Sequence, residues 1–399
     1  MRGPLFSAGT ARGGTNLLTY LLSVNPQVSV ACDPFLPLFR SLRNAILRHR
    51  ADSELQQTVD PVSPLGEYYF NPDGIRVMEC IQESDLDIPV DPSETPALLD
   101  ALGRRTALTC PYLRPHLLTL HGRTYAELFR CALQILETAR HARDRAWVGF
   151  NENWAVEFFA PLARTFPTAR FLIIVRDPRA AIASNRRVPD PSLIAHTPSF
   201  ARHWRKLVAF AVHFQSDPLF AGRLCVVTYE QLVLHPAQTA RRLCEFLDVE
   251  YDPAMLQTSR YVDLATGVMW NGNSNYEATT VAFDPQRIDR WRRFLDEGAG
   301  KAIEFLCDPD LRLFGYQAVH DTTAADPAVL QFFQEEHRAP RHWRTDSQDP
   351  EQEFANELLR KSVLAAPERL TDADAIRRTC LFEDVYDRLT QQKVLTYAG

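Results

Sequence analysis

The run Phe171-Leu172-Ile173-Ile174-Val175 constrains the fold of this chain more than any other stretch. Five consecutive apolar residues offer no polar face, so a strand built from them must be covered on both sides. Shorter β-rich runs surround it: Pro4 to Ala8, Gln27 to Ala31, Ala146 to Phe150 and Leu224 to Tyr229. Helical spacing alternates with them. It covers Thr15 to Val24 (ended by Asn25-Pro26), Phe35 to Arg48, and Trp154 to Phe166 (broken by Pro167). A further helix starts near Pro178, and others span Phe200 to Phe214 and Glu230 to Leu247. Strands alternating with helices give an α/β fold, a parallel sheet with helices on both faces.

Two regions break the rhythm. Between about residue 51 and residue 145 prolines and acids are frequent, as in Asp60-Pro61, Asn71-Pro72 and Asp91-Pro92. One helix is expected there, from about Arg123 to His141. This block reads as a large insertion into the main domain. The last eighty or so residues are mildly acidic and helical in pattern, without a catalytic motif. The expected organisation is a main domain over 1–320 containing the insertion 51–145, followed by a helical C-terminal extension over 321–399 that packs on the core or mediates assembly. The chain of 399 residues is long enough for one large domain or two moderate ones.

A formal net charge of -6 argues against a nucleic-acid partner, although an anionic nucleotide can still bind in a locally positive pocket. The eight cysteines form no CxxC pair, so neither a zinc site nor a redox dithiol is indicated, and they read as small buried residues of a reducing compartment. No run approaches a transmembrane helix, and no signal peptide precedes the first strand. A cytoplasmic location is expected.

The most informative loop is Gly9-Thr10-Ala11-Arg12-Gly13-Gly14-Thr15-Asn16, which follows a strand and opens a helix. Its glycines allow a sharp turn with N–H groups pointing inward, an anion site at a helix N-terminus. Arg12 adds a charge-assisted bond to a phosphate or sulfate oxygen, and Thr15 and Asn16 add side-chain donors. The Gly9-x4-Gly14 spacing matches a Walker A loop, but Thr15 and Asn16 stand where Lys and Ser/Thr belong. A glycine-rich turn without a ligand is the plain alternative. The second stretch runs from Phe171 through Arg176-Asp177-Pro178-Arg179 to Ser184. Arg176 falls at a strand's C-terminal end, where ligands of open α/β sheets collect. Ser184 follows eight residues later, about two helical turns on, so both can meet one phosphate. The alternative is an ion pair between Arg176 and Asp177 or another acid. Together the two stretches suit a nucleotide phosphorylated on both its 5′ and 3′ sides.

Here the chain resembles the sulfotransferases that use 3′-phosphoadenosine 5′-phosphosulfate (PAPS), particularly the carbohydrate and tyrosylprotein branch and its bacterial relatives. Arg12-Gly13-Gly14-Thr15-Asn16-Leu17-Leu18 is similar to their 5′-phosphosulfate loop, and Arg176 to Ser184 to their 3′-phosphate motif. Tyr229-Glu230-Gln231-Leu232 with His235-Pro236, Trp270-Asn271-Gly272-Asn273-Ser274 and Arg290-Trp291-Arg292 resemble later family elements. Gly13 and Asn16 depart from the usual serine and hydroxyl residue. The resemblance covers 1–50 and about 145–316. It implies a P-loop-like parallel sheet and in-line sulfuryl transfer from PAPS to an acceptor hydroxyl, with no metal required. The implied acceptor is a small molecule, glycan, lipid or peptide.

By the same resemblance Arg12 stabilises charge on the leaving oxygen, with Gly13, Gly14, Thr15, Asn16, Arg176 and Ser184 holding the nucleotide. Asp33, after the second strand, is the implied base, with Glu152 as competitor. A turn or helix-cap role before Pro34 is the alternative for Asp33. His203 and His213 read as packing or surface residues. Trp270 to Tyr276 is either a lid or a surface loop. Two other functions compete. A P-loop kinase or nucleotide hydrolase lacks its lysine here, and a non-catalytic nucleotide-binding assembly protein would work through its extension.

Overall fold

The computed structural model describes residues 2–262, 267–270, 283–323, 325–342, 349–366 and 368–391. Five parallel strands form one sheet: β1 (Gly3–Ala8), β2 (Val28–Cys32), β3 (Trp147–Asn151), β4 (Arg170–Val175) and β5 (Leu224–Thr228), in the order β2-β3-β1-β4-β5. The five apolar residues of β4 are all fully buried, and alternate members face opposite ways. Phe171, Ile173 and Val175 belong to one apolar cluster, Leu172 and Ile174 to another. The parallel fold is therefore the one that the apolar run requires.

Helices cover both faces. α1 (Thr15–Val24) links β1 to β2, and α2 (Leu36–Arg50) follows β2. The block between β2 and β3 contains no strand. It holds α3 (Ser53–Thr58), α4 (Pro72–Glu83), α5 (Thr95–Thr109) and α6 (Tyr125–Ala139), so it is more helical than the single helix expected. Next come α7 (Phe159–Thr165), α8 (Pro178–Asn185) and α9 (Thr197–Ser216). The stretch expected as one helix from Trp154 opens as a 3-10 turn, Val156–Phe158, before α7 begins. The stretch expected as one helix after β5 is two, α10 (Tyr229–Leu234) and α11 (Pro236–Leu247). Thr228 and Gln231 form a capping box that starts α10, and Pro236 starts a new helix rather than continuing the old one.

The C-terminal region comprises α12 (Glu297–Cys307), α13 (Asp310–Leu313), α14 (Pro327–Arg338), α15 (Pro350–Leu364), α16 (Ala373–Cys380) and α17 (Glu383–Thr390). Val329, Phe333, Val363, Ile376 and Tyr386 join the same apolar cluster as β4. Buried ion pairs reinforce this docking. Arg202 on α9 meets Glu353, Arg205 meets Glu357, and Arg360 meets Asp310. No helix among the described residues is long and apolar enough to cross a membrane.

Candidate functional site

The chain leaves β1 for β2 on one side and later returns to β4 on the other, with β1 in the middle of the sheet. Such a reversal opens a crevice at the carboxyl ends of the strands. A cleft of about 240 Å³ lies there, lined among the described residues by Arg12, Asp33, Arg176, Ser184, Tyr229 and Arg290, together with Gly14, Thr15 and Asn16 of the loop.

The loop after β1 is tightly determined. Arg12 and Gly14 both have left-handed backbones, with φ of 60° and 96°. A Cβ on Gly14 would lie 2.5 Å from the Tyr229 ring, and one on Gly13 2.8 Å from the Thr10 carbonyl oxygen. Neither position accepts a side chain without displacing its neighbours. This bare backbone opens α1 at Thr15, whose first-turn N–H groups have no partner within the helix.

The two basic stretches meet. The Arg176 guanidinium donates from Nη1 to the Arg12 carbonyl oxygen at 2.8 Å, and Arg12 Nε donates to Ser184 Oγ at 3.0 Å. Residues separated by more than 160 positions thus share one wall of the cleft. Arg176 does not pair with Asp177. That carboxylate is taken by Arg179, which is itself buried and also bonded to Glu304. Arg176 Cζ lies over the Tyr229 ring, 4.1 Å from its centre, and its Nε is buried with no acceptor among the described residues. A buried guanidinium N–H without a partner carries a desolvation cost that an anionic ligand relieves.

The second wall follows from strand register. Cys32 pairs with Asn151, so the residues leaving β2 and β3 lie side by side. Asp33, with φ of 53°, accepts from Asn151 Nδ2 at 3.1 Å, from the Asn153 backbone N–H at 3.0 Å and from Asn153 Nδ2 at 2.8 Å. Burial raises the Asp33 pKa above the ordinary aspartate range. The Arg105 charge and the asparagine hydrogen bonds oppose that rise. Glu152 is placed differently. It is buried beneath the site, accepts from the Phe35 backbone N–H at 2.7 Å and does not line the cleft. Burial first, then the Asp33 charge, hold its pKa well above the usual glutamate value.

Several residues were not legible in advance. Arg105, on α5 of the insertion, donates to the Asp33 carbonyl oxygen at 2.8 Å, and no local motif announces it. Asn153 had a weak signal, a polar triplet closing an apolar strand. Arg287 lines the cleft beside Arg290, both within reach of Asp284. Trp270 packs on Tyr20 with ring centres 4.8 Å apart and also lines the cleft, while positions 271–276 of the expected lid lie outside the described residues. His203 is buried against Trp154, and His213 stacks on Phe382 of the C-terminal region, so neither reaches the site.

The chain is similar to known sulfotransferases. Protein-tyrosine sulfotransferase of Drosophila melanogaster is 27% identical over 156 residues, which is 38% of this chain and 31% of that protein. Carbohydrate sulfotransferase 3 of Tetronarce californica is 23% identical over 184 residues, 42% of this chain and 40% of that protein. The chain therefore spans well under half the length of these relatives. Among solved structures, the sulfotransferase domain of the Synechococcus PCC 7002 olefin synthase aligns with a TM-score of 0.42 and 18% identity, covering 74% of this chain and 89% of that one. A model of the sulfotransferase family matches residues 4–253, from β1 through the helix after β5. With more than half of the sequence, the entire sheet and both basic stretches inside that match, the chain belongs to the sulfotransferase family.

Proposed function

We propose that this protein transfers a sulfuryl group from PAPS to an acceptor hydroxyl by in-line displacement. The observation that carries the reading is the convergence of Arg12, Arg176 and Ser184 on one cleft at the centre of the sheet. The nucleotide enters as a substrate. Gly14, Thr15 and Asn16 hold its 5′-phosphosulfate with backbone N–H groups and short side chains, and Gly13, whose own N–H is bonded to the Thr10 carbonyl oxygen, lets the loop turn tightly around it. Arg176 and Ser184 hold the 3′-phosphate. Arg12, between them, stabilises the charge that grows on the leaving oxygen, and it does so as a fixed cation because guanidinium does not surrender its proton. Asp33 takes the acceptor proton. It lines the cleft, whereas Glu152 is covered and engaged with the Phe35 N–H. The matched relatives are named for protein tyrosine and carbohydrate, both hydroxyl-bearing acceptors. The insertion and the C-terminal extension shape that choice here. The eight cysteines, all free, support a reducing compartment such as the cytoplasm.

The first test is thermal. 3′-Phosphoadenosine 5′-phosphate raises Tm, and Arg12→Ala or Arg176→Ala removes most of the rise while the circular dichroism spectrum is kept. Each lost charge-assisted contact costs about 1.5–3 kcal/mol, roughly 10- to 150-fold in affinity. Equal binding of adenosine 5′-phosphosulfate, which lacks the 3′-phosphate, would overturn the roles of Arg176 and Ser184. Radiolabelled PAPS mixed with hydroxyl acceptors then reports transfer. Tight nucleotide binding without transfer to any acceptor supports the assembly-protein alternative instead.

A further inference from the structure

Away from the cleft, three chemistry-bearing side chains from separate elements meet. His196 caps the start of α9, His337 sits near the end of α14, and Glu353 lies in the first turn of α15. Their donor atoms all lie within 4.8 Å of one another. His337 Nε2 and Glu353 Oε2 are 3.7 Å apart, too long for a hydrogen bond. Two donors at 2.0–2.2 Å from a tetrahedral ion are about 3.4 Å apart, so this pair needs to close by a few tenths of an ångström and the widest pair by up to about 1.4 Å.

The surroundings match those of a metal site. His337 Nδ1 is 2.9 Å from the Phe333 carbonyl oxygen, which can only accept, so Nδ1 carries a proton and, in the neutral ring, Nε2 has the lone pair. His196 Nδ1 is 3.0 Å from Ser199 Oγ; when that hydroxyl accepts from Nδ1, Nε2 is the ring nitrogen with the lone pair. A hydrogen bond on the far nitrogen is how metal-binding imidazoles are oriented. Glu353 is held through Oε1 by Arg202 at 2.9 Å, while Oε2 is buried and accepts no hydrogen bond among the described residues. A buried carboxylate oxygen in that state is costly unless a cation meets it.

We propose that His196, His337 and Glu353 bind a divalent transition-metal ion, best matched by zinc, as a structural staple between α9 of the sulfotransferase core and the C-terminal extension. Two imidazole nitrogens and one carboxylate oxygen suit zinc, and solvent takes the remaining position. The cysteine spacing had pointed away from a zinc site, but no cysteine takes part in this one. None of the three residues lines the cleft, so the ion does not enter sulfuryl transfer and the proposal stands apart from the PAPS reading.

The test uses the tag-free full chain, stripped with EDTA and dialysed. Calorimetric titration with Zn²⁺ gives one ion per chain, and Zn²⁺ raises Tm. Co²⁺ produces the intense visible bands of a four-coordinate site. His337→Gln and His196→Gln each weaken Zn²⁺ binding by at least about tenfold, whereas Arg12→Ala leaves it unchanged. Absence of stoichiometric Zn²⁺ binding, or wild-type affinity in both histidine variants, overturns the proposal. If either variant does not fold, the Co²⁺ spectrum of the wild type decides, and weak six-coordinate bands or none overturn it.

Discussion

Asp33 and Glu152 are two carboxylates in one neighbourhood with opposite prospects. Asp33 faces the cleft and carries three amide donors, while Glu152 is sealed behind it. Asp33→Asn is expected to lower kcat by about 10²–10⁴ and to leave the affinity for 3′-phosphoadenosine 5′-phosphate unchanged. A base works deprotonated, and burial raises the Asp33 pKa. Turnover should therefore fall on acidification through a midpoint above the ordinary aspartate range, and a pH–rate profile reads this directly. Full turnover in the asparagine variant would move the base role elsewhere. Glu152 makes a stability prediction of opposite use. Its folded pKa is raised, so the folded state favours the protonated acid. Stability is then intact below the unfolded glutamate pKa and is lost as pH rises from there through the folded value. Glu152→Gln removes that loss while keeping an oxygen for the Phe35 N–H. Its Tm advantage over wild type should be greater at pH 8 than at pH 5.

At the scale of elements, α9 and α15 are joined by charge inside the protein. Glu357 answers Arg205, which is fully buried, and lies 3.8 Å from Arg202. Glu357→Ala removes the carboxylate that answers Arg205 and should cost about 3–5 kcal/mol in chemical denaturation. A loss within error would mean that water reaches the pair. The legibility of the elements divides along physical lines. β4 was readable because its burial leaves no polar residue to confuse the period. The loop after β1 was readable because Gly13 and Gly14 are demanded by steric contact, and Arg176 and Ser184 because helix geometry fixes what eight residues span. The helices of the insertion were hidden by their prolines. Asn71-Pro72 reads as a break, yet Asn71 caps α4 by accepting from the Gly74 N–H and Pro72 is its first residue. Pro96 likewise lies in the first turn of α5. Arg105 was out of reach because its place beside Asp33 depends on how α5 packs, not on any neighbouring residue.

Over the whole molecule, residues of α14 to α17 share one apolar cluster with the strands. The core and the C-terminal extension should therefore unfold together, as a single calorimetric transition whose van't Hoff and calorimetric enthalpies agree. Two resolved transitions would show that the extension is an independent unit. The sheet order also governs what happens at the ribosome. Among the described strands, β2 is hydrogen-bonded to β3 alone, and β1 only to β3 and β4. Until Trp147–Asn151 has emerged, both earlier strands lack every native strand partner and have α1 packed on one face, although most of the helical insertion has already been made. The nascent chain must carry two unpaired apolar ribbons through that interval, so the demand for chaperone holding is greatest before the middle strand arrives and wedges between them.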